Sequence, residues 1–236
     1  MLLQTVNCPN CGGALTNPVL GDMLAACPYC HITFRAPKSF TPEPQMGDLM
    51  LGADFRGPDI PGWNVSSPDN VQFKEYDTPE LWATFPASNL IHPVLRTPGH
   101  FDDFDASVSI RFIEGAYEYI SAGLELRYND DGDYVFRISA QGTFQIGWHN
   151  KSEWGGTIIN WTNSNVLTRE YGTFNRLRVI MRGDQLRLYL NGVIIASLRD
   201  SHFRGGLVRL VASPGEKSSI TVAFSDLELR EAPKER

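Results

Sequence analysis

Four cysteines carry the most explicit chemistry in this 236-residue chain. Cys8, Cys11, Cys27 and Cys30 stand as C-x2-C, fifteen residues, then C-x2-C, which is the spacing of a four-thiolate zinc site. A Cys-x-x-Cys turn directs two sulfurs at one ion, and two such turns at hairpin ends complete a tetrahedron. Pro9 pre-sets the first turn and Gly12 admits the positive φ that a metal knuckle uses. Two disulfides, or a redox-active Cys-x-x-Cys, are the competing readings. Structural disulfides do not suit a cytoplasmic chain, and no thioredoxin-like βαβ pattern surrounds either pair. His31 is a further candidate ligand, but four thiolates already fill the shell. A closed shell has no open coordination position, so the expected zinc is structural. About 30 residues cannot fold on apolar burial alone, and the metal supplies the missing free energy.

The knuckles CPNCGG and CPYC resemble those of zinc ribbons, with His31 standing where glycine is usual in the second. Ribbons often contact nucleic acid, but residues 1–47 hold only Arg35 and Lys38 against Asp22 and Glu43. With a net charge of −6 overall, no nucleic-acid partner is expected.

Other stretches offer oxygen and aromatic chemistry. Glu75-Tyr76-Asp77-Thr78-Pro79-Glu80 brings three carboxylates into six residues, but Pro79 is nearly excluded from a central strand. The stretch is therefore read as a turn, with Glu75 and Glu80 replaceable at no cost. Asn129-Asp130-Asp131-Gly132-Asp133 offers calcium ligands, or simply a polar hairpin turn; calcium is kept as the weaker alternative. His149 to Thr173 reads as the longest polar connection, with Trp154 and Trp161 among Asn150, Asn160 and Asn163. Exposed tryptophans stack on sugar rings and amides bind hydroxyls, so His149, Asn150, Trp154, Trp161 and Asn163 form the candidate ligand- or partner-binding set. The competing reading places Trp161 on a short strand, Thr157 to Thr162, as core. Arg176, Arg178, Arg187 and Tyr189, joined by Arg209, are expected to share a solvated outward face.

The elements that position these residues are strands. Leu177, Val179 and Met181 alternate with Arg176, Arg178, Ile180 and Arg182, the period of a strand with one buried face. Gly183-Asp184 turns the chain into Leu186, Leu188 and Leu190, and Asn191-Gly192 turns it again, giving a three-stranded meander. From Leu49 onward, alternating runs recur between Gly, Asn, Asp and Pro turns, as in an all-β sandwich. The spacing predicts a zinc ribbon over 1–34, a Pro-rich linker over 35–48, a two-sheet antiparallel sandwich over 49–231 and a polar tail over 232–236.

The runs FDDFDASVSIRF, AGLELRYNDDGDYVFRIS, GTFQIGW, NRLRVIMRGDQLRLYLNGVIIA, GGLVRLVA and ITVAFSDLEL resemble the concanavalin-A-like lectin/glucanase jelly roll in its laminin-G-like branch. The resemblance implies two antiparallel sheets, one concave, in a family of lectins, glycan hydrolases and non-catalytic adhesion modules. In its glucanase branch the first and last glutamates of the Glu-x-Asp-x-x-Glu motif are nucleophile and acid/base, roles that would fall on Glu75 and Glu80. The expected function is a non-catalytic binding or scaffolding protein with a protein partner. A carbohydrate-binding face is the alternative, and a glycan hydrolase the remote one. No run approaches the roughly 18 apolar residues of a spanning helix. Met1 to Asn7 lacks a basic n-region. The expected location is therefore cytoplasmic, where the glycosylation-like triplets at Asn64, Asn150 and Asn160 carry no meaning.

Overall fold

The computed structural model describes residues 44–234, apart from Tyr119 and Ser152, together with four short strands nearer the N-terminus. Those are β1 (Val6–Asn7), β2 (Ala14–Leu15), β3 (Leu24–Ala26) and β4 (Thr33–Arg35). β1 pairs with β2 and β3 with β4, both antiparallel. The four cysteines, and with them the expected zinc ligands, lie outside the described residues.

The rest of the chain forms β5 (Leu49–Ala53), β6 (Asn64–Val65), β7 (Val71–Lys74), β8 (Glu80–Phe85) and β9 (His92–Arg96). Then come β10 (Phe104–Gly115), β11 (Ser121–Asn129), β12 (Gly132–Ser139), β13 (Thr143–Asn150) and β14 (Glu153–Asn163). The series ends with β15 (Asn175–Arg182), β16 (Gln185–Leu190), β17 (Val193–Arg199), β18 (Leu207–Ser213) and β19 (Ile220–Glu231). One sheet has eight strands in the order β17-β16-β15-β10-β19-β8-β7, with β5 also paired to β19; the other has seven, in the order β14-β13-β12-β11-β18-β9-β6. All pairings are antiparallel, and the two sheets form a jelly-roll sandwich. No helix among the described residues is long and apolar enough to cross a membrane.

The meander explains the core. Leu177, Val179, Met181, Leu186, Leu188 and Leu190 all have 0% exposure, as the alternation requires. Asn191 and Gly192 have φ of 49° and 78°, the left-handed pair of a type I′ turn that matches strand twist. Asn191 does more than turn: its Oδ1 accepts from the Arg176 amide, and its Nδ2 donates to the Val166 carbonyl and Asn175 Oδ1. Gly183 supplies the other positive φ, 54°.

The opposite face of the meander corrects an expectation. Arg178 is not solvated but 2% exposed, and so are Ile180 and Tyr189 nearly so at 6% and 4%. The reason is that residues 44–48 lie against this sheet. Arg178 Nη2 donates to the Pro44 carbonyl, Arg230 Nη1 to the Gly47 carbonyl, and the Glu231 amide to Asp48. A buried guanidinium needs a counter-charge, and Asp105 on β10 provides it, at 2.6 and 2.8 Å. Arg209, grouped with these residues from sequence, is on the other sheet.

Candidate functional site

The outer face of the seven-stranded sheet collects polar residues that sequence reading left scattered. Leu124 and Leu126 of β11, Tyr134, Phe136 and Ile138 of β12, and Phe144 and Ile146 of β13 point into the core. Strand alternation then sends the intervening residues outward: Gly123 and Glu125, Asp133, Val135 and Arg137, Gln145, Gly147 and His149. Register aligns them. Glu125 stands opposite Val135 on one side and Arg209 on the other, Asp133 opposite His149, and Arg137 between Gly123 and Gln145.

Here two carboxylates come close. One ligand atom from each of Glu125, Asp133 and His149 lies within 4.8 Å of the others. Arg209 holds Glu125 through Nε at 2.6 Å and Nη2 at 2.5 Å, its own guanidinium 3.4 Å from the Tyr128 ring. Asp133 Oδ1 pairs with His149 Nδ1 at 2.7 Å; Asp133 Oδ2 is buried without a hydrogen-bond partner among the described residues. Burial, and then the charge of Asp133, push the Glu125 carboxyl up to about 7, against the opposing pull of Arg209 and His149. A carboxyl at that value holds or releases a proton at neutral pH. The contact to Asp133 engages Nδ1 of His149 and leaves Nε2 as the ring nitrogen outside that pair. The three ligand atoms also stand close enough to hold a metal ion, with Arg209 bonded to Glu125.

Trp154 and Trp161 wall this face. Both were candidates from sequence, and both are exposed, at 43% and 40%; the reading of Trp161 as core is overturned. The segment from His149 to Thr173 is not one long connection either, because β14 occupies Glu153–Asn163 as an edge strand on β13. Three register shifts along that pairing break the period-2 signal, which is why the sequence reads as a loop. The Trp154 ring lies across Gly147, where a Cβ would come within 2.4 Å of it, and meets the His149 ring edge-on at 5.3 Å. The Arg137 guanidinium sits 5.7 Å from the Trp154 ring centre and 5.3 Å from that of Trp161. Burial lowers the Arg137 pKa to about 10, with Glu125 pulling it back up. The structure thus brings His149, Trp154 and Trp161 together. It leaves Asn150 and Asn163 at the ends of β13 and β14.

A family model described as a 3-keto-alpha-glucoside-1,2-lyase-like domain matches residues 83–228, more than half of the chain. The chain belongs to this family. No curated protein sequence matches it. Solved structures with the same fold include carbohydrate-binding module CBM66 from Bacillus subtilis, at a TM-score of 0.52 and 14% identity over 72% of this chain and 96% of that one. A Bacillus licheniformis beta-glucanase aligns at 0.60 and 7% identity, covering 79% of this chain and all of the other (100%). A Bacteroides ovatus GH16 protein in complex with a product aligns at 0.56 and 11%, covering 77% and 100%. These findings back a carbohydrate-related role better than the protein scaffold expected from sequence.

The remaining candidates of this lyase-like domain resolve differently. Glu80 is not a turn residue: it opens β8, is 3% exposed, and receives Arg111 at 2.7–3.2 Å and Trp82 Nε1 at 2.7 Å. With Glu75, Tyr76, Asp77, Thr78, Arg111 and Phe174 it lines an open depression of about 900 Å³. That depression borders the eight-stranded sheet, away from Glu125. In the Asn129–Asp133 turn, Asn129 Oδ1 already accepts from the Asp131 and Gly132 amides, and Asp133 serves His149. Glu125, Arg137 and Gln145 were not assigned to a binding site from sequence, and Asp133 and Arg209 were placed elsewhere, in the candidate calcium turn and with the arginines of the meander. Their one signal was polar side chains at alternate positions of otherwise apolar strands.

Proposed function

We propose that the outer face of the seven-stranded sheet binds a saccharide, and that its acid–base cluster performs elimination across C1–C2 of a 3-keto-α-glucoside. The observation that carries this reading is the Glu125 carboxyl with a pKa of about 7 beside the Asp133–His149 pair, two proton-transfer groups at one place. A ketone at C3 acidifies the hydrogen on C2. His149 Nε2, oriented by Asp133, takes that proton. In net terms a C1=C2 bond is gained, the C1–O bond breaks toward the departing oxygen, and Glu125 supplies the proton that makes it an alcohol. Trp154 and Trp161 offer stacking surfaces for sugar rings, and the spare Asp133 Oδ2 is an acceptor for a hydroxyl.

The test is turnover of a 3-keto-α-glucoside, followed by appearance of the conjugated enone. Glu125→Gln, which keeps shape and loses the proton, should lower kcat by about 10²–10⁴-fold while leaving saccharide binding intact. Binding without turnover in the parent protein would reduce the proposal to a carbohydrate-binding module. Absence of both would sink it.

A structural zinc site at Cys8, Cys11, Cys27 and Cys30 also stands as a proposal. Its support beyond spacing is that, in chain order, each Cys-x-x-Cys falls between the two members of a strand pair, β1 with β2 and β3 with β4. Metal analysis should find one zinc per chain; disulfides in place of metal would overturn it.

A further inference from the structure

Arg137 is a largely buried charged group on the candidate face that meets no opposite charge in direct contact among the described residues. Glu125 is held by Arg209, and Asp133 by His149. Arg137 Nη2 donates at 2.7 Å to Gln145, a neutral amide, and Arg137 Nε is buried with no acceptor among the described residues. An unmade hydrogen bond on a buried charged donor is costly, and in a folded protein such a group calls for a reason, a catalytic role or a bound partner among them. Two indole rings flank the guanidinium, so its position is fixed before anything binds. Arg is also suited to planar oxygen pairs in a way that a point charge is not.

We infer that Arg137 receives an anionic oxygen of the bound sugar; this rests on the reading of the face as a saccharide site. Two sources share that chemistry. One is the carboxylate of a uronic acid residue. The other is the C3 oxygen of a 3-keto sugar as it gains charge: when the C2 proton passes to His149, the C–H pair forms C2=C3 and the carbonyl pair moves onto oxygen. That pair then returns to re-form the carbonyl, the C2=C3 pair shifts to C1=C2, and the C1–O bond breaks with its pair onto the departing oxygen, which takes its proton from Glu125. A buried donor aimed at the oxygen stabilises it most at the moment of charge development.

Magnetic resonance of arginine side chains labelled with nitrogen-15 tests this directly. The Arg137 Nε–H signal is identified by its disappearance in Arg137→Lys, and the protein is titrated with a glucose disaccharide and with its glucuronate-containing counterpart. A shift with the acidic sugar only, and affinity for it weakened tenfold or more in Arg137→Gln with the neutral sugar unaffected, supports the carboxylate source. No shift with either, but a kcat on a 3-keto-α-glucoside reduced tenfold or more in Arg137→Gln at unchanged KM, supports the enolate source. Neutral sugar that binds through Trp154, with Arg137→Gln altering neither affinity nor kcat, overturns the inference and leaves the saccharide reading standing. No saccharide binding at all overturns both. Arg137→Lys, which keeps the charge and shifts the donor, guards against misfolding: if it melts as the parent does, its losses are those of recognition.

Discussion

The outer faces of the two sheets use the same residue types to opposite ends. On the eight-stranded sheet four arginines each meet a carboxylate: Arg178 with Asp105, Arg111 with Glu80, Arg230 with Glu228, Arg199 with Asp184. On the seven-stranded sheet the matching is incomplete. Glu125 and Asp133 crowd one another, and among the described residues Asp133 Oδ2 and the buried Arg137 Nε–H find no hydrogen-bond partner. Closed pairs hold a fold together; open valences cost stability and are kept where a ligand completes them. The comparison teaches which face to interrogate by melting and which by binding.

The largest expected effect lies on the closed face. Asp105 and Arg178 are each 2% exposed, and removing one partner strands the other charge in the interior. Arg178→Met should cost about 3–5 kcal/mol by chemical denaturation. Adding Asp105→Leu should recover much of the loss, because the stranded charge is gone. If Arg178→Met instead cost well under about 1 kcal/mol, this face would behave as solvent and the contrast between the sheets would collapse.

On the open face the next effect appears through pH. Burial and Asp133 raise Glu125 from its ordinary 4.5 to about 7 in the folded state. Between those values the folded protein holds the proton and the unfolded chain does not. Its contribution is therefore complete below 4.5 and is lost as pH rises through 7, a decline of about 3 kcal/mol from this group. Glu125→Gln should flatten that slope. An unchanged pH dependence in the variant would assign the decline to other groups.

How far this contrast could be read from sequence depends on distance along the chain. The core phase of Leu177, Val179, Leu186 and Leu188 was legible because alternation and an Asn-Gly turn are local signals. Trp154 and Trp161 stood out by type and by their amide neighbours. The strand that carries them did not, since its register shifts and glycines hide the period. Glu125, Asp133, Arg137 and Arg209 lie on three strands, and only the sheet register brings them to one face. Burial of Arg178 was equally hidden, because what covers it is residues 44–48, more than a hundred positions away and read as linker.

A smaller effect sharpens the reading of the first hairpin. Sequence alone treats Glu75 and Glu80 alike, whereas the structure separates them: Glu75 rims the depression and Glu80 anchors Arg111 and Trp82. Glu75→Gln should be silent. Glu80→Gln should cost about 1.5–3 kcal/mol, the range for charge-assisted hydrogen bonds in a largely buried setting. Equal costs in the two variants would return Glu80 to the turn.

Trp154→Ala should have the smallest effect on stability and, of the variants at this face, the clearest on binding. The side chain is 43% exposed on an edge strand, so truncation forfeits little core packing and should cost less than about 1 kcal/mol. What it removes is the ring that spans Gly147, touches His149 edge-on and flanks Arg137. An aromatic wall beside fixed polar groups is the part of a site whose loss is felt most by a ligand. Saccharide affinity should therefore drop tenfold or more while the melting temperature stays within a few degrees. Arg178→Met is the control from the other sheet: it should lower the melting temperature and leave the affinity of the folded fraction unchanged. If the two variants traded outcomes, with Trp154→Ala unfolding the domain and binding untouched, the ring would be structural and the ligand face would have to be sought elsewhere.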